Sequence, residues 1–133
     1  MDLLQWDDSF KLNIPRIDEQ HERLIELIRD LEDAVQDGTG GLLISYVMQE
    51  LIRYVGLHFG DEECLMMEYD FPELAVHRQK HSFYISRLQE ILEQNRDGDA
   101  LSTATLAFLK EWIVTHIKGT DQEYGRFIRA TQT

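Results

Sequence analysis

The sequence predicts an all-α fold: an up-down-up-down antiparallel four-helix bundle with an N-terminal arm and a short C-terminal helix. Three observations predict it. Four segments repeat apolar residues about every 3.6 positions, the mark of a helix with one buried face. Short runs of turn-forming residues separate them, and short connections make long helices antiparallel neighbours. No segment alternates apolar and polar residues in the manner of a half-buried strand, and prolines occur only at Pro15 and Pro72, leaving room for long helices.

Residues 1–16 read as an extended arm, with Trp6 and Phe10 as anchors onto the bundle. The bundle spans 17–118. Its first helix runs from Ile17 to Asp37, with Ile17, His21, Leu24, Ile25, Ile28, Leu31 and Val35 on one stripe. Asp37-Gly-Thr-Gly-Gly41 ends it. The second runs from Leu42 to Tyr69, its stripe carrying Val47, Met48, Leu51, Val55, His58, Glu62, Leu65 and Met66. Asp70-Phe-Pro72 turns the chain, and Pro72 suits the first turn of a third helix bearing Leu74, His77, His81, Tyr84, Leu88 and Ile91. Asn95-Arg-Asp-Gly-Asp99 leads to a fourth, Leu101 to Lys118, with Thr105, Leu109, Trp112, Ile113 and His116 in line. Residues 119–133 hold a break and a short helix, Gln122 to Ala130, completing a single domain over 1–133.

Composition narrows the function. With 43% hydrophobic and 29% charged residues, the chain can build a core and is not a disordered polymer. Its formal net charge of −12 repels phosphate backbones and anionic lipid, which argues against nucleic acid and membrane surfaces as partners. The N-terminus lacks a basic stretch followed by an apolar run, and no apolar run is long enough to span a bilayer. A cytoplasmic monomer is the expectation. Cys64, the one cysteine, has no internal partner for a disulfide.

The polar residues on the apolar stripes carry the chemistry. His21, His58, Glu62, His77, His81 and His116 each stand where the pattern predicts a core residue. A buried ionisable group without a partner costs several kcal/mol or changes its protonation state. Six of them, from four helices, are tolerable only if they satisfy one another or a metal. Their heights agree with one site. At about 1.5 Å rise per residue, His21 lies roughly 24 Å before the end of its helix and His58 roughly 24 Å after the start of the next. His77 and Glu62 lie roughly 8 and 10 Å from the second turn, and His81 and His116 roughly 21 and 22 Å from the third.

Asp121 joins this set only if the helix departs from regularity. Five residues after His116 it would point about 140° away on a regular helix. Gly119, a residue suited to ending a helix in a left-handed turn, suggests a break at Lys118–Gly119 that swings Asp121 inward. The alternative is that Asp121 merely caps the last helix, Gln122 to Ala130; it could also do both, one oxygen facing the site and one the backbone. Glu63 points about 100° from Glu62 and reads as solvated, and Cys64, about 200° away, as a small packed residue.

Five imidazoles and two carboxylates are too many for one tetrahedral zinc. Two octahedral ions offer about twelve positions, of which these groups fill about nine when the carboxylates bridge. Calcium and magnesium prefer oxygen shells. Two iron ions are the simplest fit, with dizinc or dimanganese as chemical alternatives.

The motifs Ile17-Asp-Glu-Gln-His21, His58-Phe-x-x-Glu-Glu-x-x-Met66, His77-x-x-x-His81 and Trp112-Ile-x-x-His-Ile-x-x-x-Asp121 make the chain resemble the bacterial hemerythrins, from about Trp6 to Phe127. The resemblance implies one iron held by His77, His81 and His116 and another by His21 and His58. Glu62 and Asp121 would bridge them beside an oxo or hydroxo group. It further implies reversible binding of dioxygen as a ligand, for storage, transport or delivery to a recipient protein, with Leu24, Phe59, Trp112 and Ile113 lining an apolar oxygen pocket. No catalytic residue is assigned. Ferritin-like di-iron enzymes use more carboxylates, and only Tyr84 and Tyr124 lie near enough to act as acids. An oxygen or redox sensor, a di-iron enzyme acting on peroxide, nitric oxide or ferrous iron, and a purely structural metal site are the competing readings.

Overall fold

The computed structural model describes residues 6–36, 41–94 and 103–131, and the expected turns at Asp37–Gly41 and Asn95–Asp99 fall largely outside them. Helices α1 (Pro15–Gln36), α2 (Gly41–Glu68), α3 (Leu74–Gln94) and α4 (Thr103–Thr115) form the antiparallel bundle, and α5 (Asp121–Thr131) follows α4 through a π-helical turn, His116–Thr120. Among the described residues there is no strand, and no helix is long and apolar enough to cross a membrane.

Each bundle helix buries most of the stripe its period defines, with Val35, Leu65, Leu74, Thr105 and Trp112 only half-buried at its edges. Ile28, Leu31, Met48, Leu51, Leu88 and Leu109 are all at most 1% exposed and form the dry half of the core. Burying side chains of this size contributes roughly 1.5–3 kcal/mol each. α1 packs on α2, α2 on α3, and α1 on α4. Large rings fill the seam between α3 and α4: Tyr84 stacks on Trp112 at 4.1 Å between centroids, and its hydroxyl donates to the Leu109 carbonyl at 3.1 Å. Across α1 and α4, Lys110 donates to the buried Glu32 carboxylate at 2.6 Å.

The arm is more ordered than an extended chain. A 3-10 turn at Asp8–Phe10 is capped by Asp7, which accepts from the Ser9 amide at 2.8 Å. Trp6 stacks on the buried Phe10, and Lys118 from the π turn sits 4.5 Å over the Phe10 ring. Asn13 takes a left-handed φ of 64°, which its side chain type tolerates, and Asp18 receives the amides of Leu12 and Asn13 at 2.7 and 3.1 Å. Leu12, fully buried, lies against α5 at Gly125, where an added Cβ would come within 3.2 Å of its Cγ. Glycine there lets the arm close on the last helix.

Helix α1 begins at Pro15, so the last two residues of the expected 1–16 arm are helical, as suits a proline in a first turn, and two further boundaries differ from the sequence reading. Helix α2 ends with Asp70 in a left-handed conformation (φ 54°), and the amides of Phe71 and Asp70 bond to the carbonyls of Met66 and Met67. This paired closure satisfies the last carbonyls of the helix. Pro72 then sits in a turn closed by Leu74 N–H to Phe71 O at 3.3 Å, so α3 begins two residues after the expected Pro72. Proline is favoured at that turn position for its fixed φ.

The expected break after Lys118 is the second difference. The chain remains helical, and Gly119 has no positive φ. Instead one turn widens: the Asp121 amide bonds to the His116 carbonyl, an i→i+5 bond. The extra residue in the turn brings positions five apart onto one face. The geometric problem of Asp121 is therefore solved by a wider helix rather than an interrupted one.

Substituting Lys110→Met should strip the buried Glu32 of its partner while keeping the aliphatic stem. Because Lys110 keeps 16% of its side chain exposed, the expected loss is about 3 kcal/mol, the lower end for a broken buried pair. Urea unfolding reads it, and a loss below about 1 kcal/mol, the range of exposed pairs, would contradict it.

Candidate metal centre

All seven polar residues drawn from the stripes and the widened turn are at most 3% exposed. α1 contributes His21, α2 His58 and Glu62, α3 His77 and His81, the π turn His116, and α5 Asp121. Their donor atoms converge. Glu62 Oε1 lies 3.2 Å from His58 Nε2 and 3.3 Å from His81 Nε2, while Oε2 lies 3.3 Å from His21 Nε2. Asp121 Oδ1 lies 3.0 and 3.1 Å from the Nε2 atoms of His77 and His116, and Oδ2 lies 3.1 Å from His21 Nε2. His81 and His116 bring their Nε2 atoms within 3.1 Å of each other.

These atoms resolve into two groups, each within 4.8 Å: Glu62, His77, His81, His116 and Asp121, and His21, His58, Glu62 and Asp121. Both carboxylates belong to both groups. Asp121 therefore turns both oxygens inward, and the expected second role, one oxygen capping α5, is not seen.

Apart from the His81–His116 pair, these contacts have hydrogen-bonding distances but not hydrogen-bonding directions. His21 Nδ1 and Nε2, His58 Nε2, His77 Nε2, Glu62 Oε1 and both Asp121 oxygens are buried without a hydrogen-bond partner. Buried polar atoms are rarely left in that condition. Lone pairs aimed at common points, from neutral imidazoles and carboxylates, are the arrangement a pair of divalent ions would satisfy. The donor set fits two metal ions.

With no guest cation between them, the same groups would compensate one another by charge. Burial alone would push the His21 imidazole down, but the contacts and charges of Asp121 and Glu62 outweigh it and raise its pKa to about 9. Burial pushes Glu62 up, yet the His58 charge and the contacts with His21, His58 and His81 hold it well below the ordinary value. In Asp121, burial and the Glu62 charge raise the carboxyl, and His116 and His21 overcome them to hold it low.

A second layer was not legible in the sequence. Glu63, expected to be solvated, keeps its side chain only 25% exposed; its Oε2 lies 2.9 Å from His81 Nδ1 and its Oε1 accepts from Arg78 at 3.1 Å. Gln20 Oε1 lies 2.7 Å from His58 Nδ1. Tyr124, fully buried, donates to Glu62 Oε2. Burial first, then the charges of Glu62 and Asp121, raise the Tyr124 phenol well above its ordinary value, so it remains a donor. Cys64, expected to be packed, is exposed and stands outside both groups.

Rings wall one side. Phe59 stacks face to face on His81 at 3.7 Å and 3°, and Trp112 stacks on His116 at 4.5 Å and 14°. Leu24, Phe59 and Ile113 are buried, and Trp112 is half-buried.

Comparison with known proteins agrees with this geometry. A family model described as the hemerythrin HHE cation binding domain matches residues 12–128. The bacteriohemerythrin of Stenotrophomonas maltophilia is 34% identical over 130 residues, covering 98% of this chain and 84% of that protein. The myohemerythrin of Theromyzon tessulatum is 31% identical over 90% of this chain and 89% of its own length. A crystal structure of wild-type hemerythrin superposes with a TM-score of 0.86 at 25% identity, covering 94% of this chain and 97% of that one.

In the metal-free protein the sign of the pH dependence follows from these shifts. His21, raised to about 9, contributes stability fully present below about pH 6.5 and lost as pH rises through 9. Glu62 and Asp121, both lowered, contribute above the ordinary carboxylate range and lose it as pH falls. Chelator-treated protein should therefore be most stable at about pH 5–6.5 and lose on the order of 3 kcal/mol by about pH 9. Urea unfolding across that range tests it; constant or rising stability towards alkaline pH would contradict it.

Proposed function

Since this chain belongs to the hemerythrin family, we propose that it binds dioxygen reversibly at a non-haem di-iron centre, as a store or carrier that delivers it to a recipient protein. The observation that carries the reading is the pair of overlapping donor groups sharing Glu62 and Asp121. His77, His81 and His116 would hold one ion and His21 and His58 the other, with Glu62 and Asp121 available to both. Two iron ions so bound would supply reversible two-electron exchange with dioxygen.

The division is unequal: three imidazoles serve one ion and two the other. An ion held by His21 and His58 would have one protein donor fewer than its partner, and so more room for an exogenous ligand. Ring faces and apolar side chains limit water and proton donors near the donor groups: Phe59 lies flat on His81, with the ring centre of His58 5.9 Å from its own. Leu24, Phe59 and Ile113 present no polar atom, and Trp112 covers His116 with its ring face. Of the two phenols near the site, Tyr84 spends its hydrogen on the Leu109 carbonyl and Tyr124 on Glu62. No free acid among the described residues stands ready to protonate and cleave a bound oxidant, which favours release over turnover.

Oxygenation of the anaerobic ferrous protein should produce a visible charge-transfer band that vanishes under vacuum and returns on re-exposure. A band that forms once and cannot be reversed would overturn the carrier reading, and sustained turnover of peroxide or excess ferrous iron would favour an enzyme. Ile113→Ser should speed autoxidation by on the order of tenfold while leaving iron content unchanged, because it admits water to the wall. Equal rates in the two proteins would refute that role. His77→Ala should retain about one ion or fewer per chain, read by elemental analysis, because it removes a donor from the three-imidazole group. Full occupancy would refute the assignment.

A further inference from the structure

Asp61, Glu62 and Glu63 are consecutive on α2, each turned about 100° from the last. The middle carboxylate enters the bundle, and its neighbours reach to either side. Asp61 turns towards α1, accepting from Gln20 Nε2 at 2.8 Å and from Arg16 at 3.0 Å. Glu63 turns towards α3, where it meets His81 Nδ1 at 2.9 Å and Arg78 at 3.1 Å. Gln20, its amide nitrogen held by Asp61, directs its oxygen to His58 Nδ1 at 2.7 Å.

Two of the five imidazoles are therefore backed at Nδ1 by an oxygen, one in each donor group. An ionised carboxylate and an amide oxygen can only accept, so each ring, when neutral, places its proton on Nδ1 and leaves its Nε2 lone pair facing inward. The two backings differ in charge. Behind His58 stands a neutral amide, and behind His81 an anion, which makes the imidazole the stronger donor.

We propose that Glu63 is a positioning residue for metal binding: its carboxylate fixes His81 as the Nδ1–H tautomer and makes the ion held with His77 and His116 the first to load and the last to leave. Gln20 orients His58 without that added charge. The loading order rests on the di-iron reading; the tautomer does not, since it follows from the Glu63–His81 contact alone.

The first test uses full-length, metal-free, 15N-labelled protein at alkaline pH, where the rings are neutral. His58 and His81 should both show the nitrogen shifts of Nδ1–H imidazole, and Glu63→Ala should shift His81 alone towards a tautomer mixture. An Nε2–H ring at His81 in the unsubstituted protein overturns the tautomer assignment, as does an unchanged ring in the variant. Circular dichroism confirms that the variant folds.

The second test follows iron extraction by a chelator. The unsubstituted protein should release its ions in two phases. Glu63→Gln, which keeps an acceptor oxygen but removes the charge, should speed the slow phase by about tenfold and spare the fast one. Gln20→Glu should slow the fast phase. An unchanged slow phase in Glu63→Gln, or equal acceleration of both, overturns the loading order. A protein that never takes up two ions defeats the di-iron reading and the loading order together, with the tautomer still decided by the first test.

Discussion

The fold is organised around one electrostatic requirement: two carboxylates and five imidazoles, none more than 3% exposed, must satisfy one another or a common guest. No single pair does so. Each carboxylate touches at least three imidazoles, and each donor group draws on several helices. The bundle's registers, the widened turn before α5 and the closing of the arm on Gly125 all serve to hold these groups at one level. The apolar half of the core supplies the stability that such a concentration of buried polar groups costs.

The helices were legible because their apolar stripes are long and their turns rich in glycine, asparagine, aspartate and proline. The candidate donors were legible for a related reason: a histidine on a core stripe violates the pattern, and six violations at matching heights cannot be independent. Asp121 was harder. Its five-residue spacing from His116 demanded an irregularity, and Gly119 fits either a left-handed stop or a right-handed wide turn. Sequence alone does not separate those, because the deciding feature is a backbone hydrogen bond from Asp121 to His116.

The supporting layer was hidden for another reason. Glu63, Gln20 and Asp61 sit on the flanks of their helices, where polar residues are ordinary. What makes them part of the site is a partner on a neighbouring helix, as Glu63 has in His81 and Gln20 in His58. Flank positions gain meaning only once helix rotation is known. The Asp61-Glu62-Glu63 run is the one signal available beforehand: three carboxylates in a row, one inward, must send the other two to either side. Tyr124 is legible as a phenol near the site, but its partner is not, because the wide turn before α5 sets which carboxylate it meets, Glu62. Cys64 shows the opposite error, a small residue expected to pack that instead faces outward.

The claim on which the account depends is that these donors hold two metal ions between them. Diffraction from crystals of aerobically isolated protein, with anomalous differences recorded on both sides of the iron absorption edge, tests it most directly. Two iron peaks are expected, one among the Nε2 atoms of His77, His81 and His116 and one beside those of His21 and His58, with Glu62 and Asp121 between. A single peak, peaks away from these residues, or no iron signal at all would contradict it.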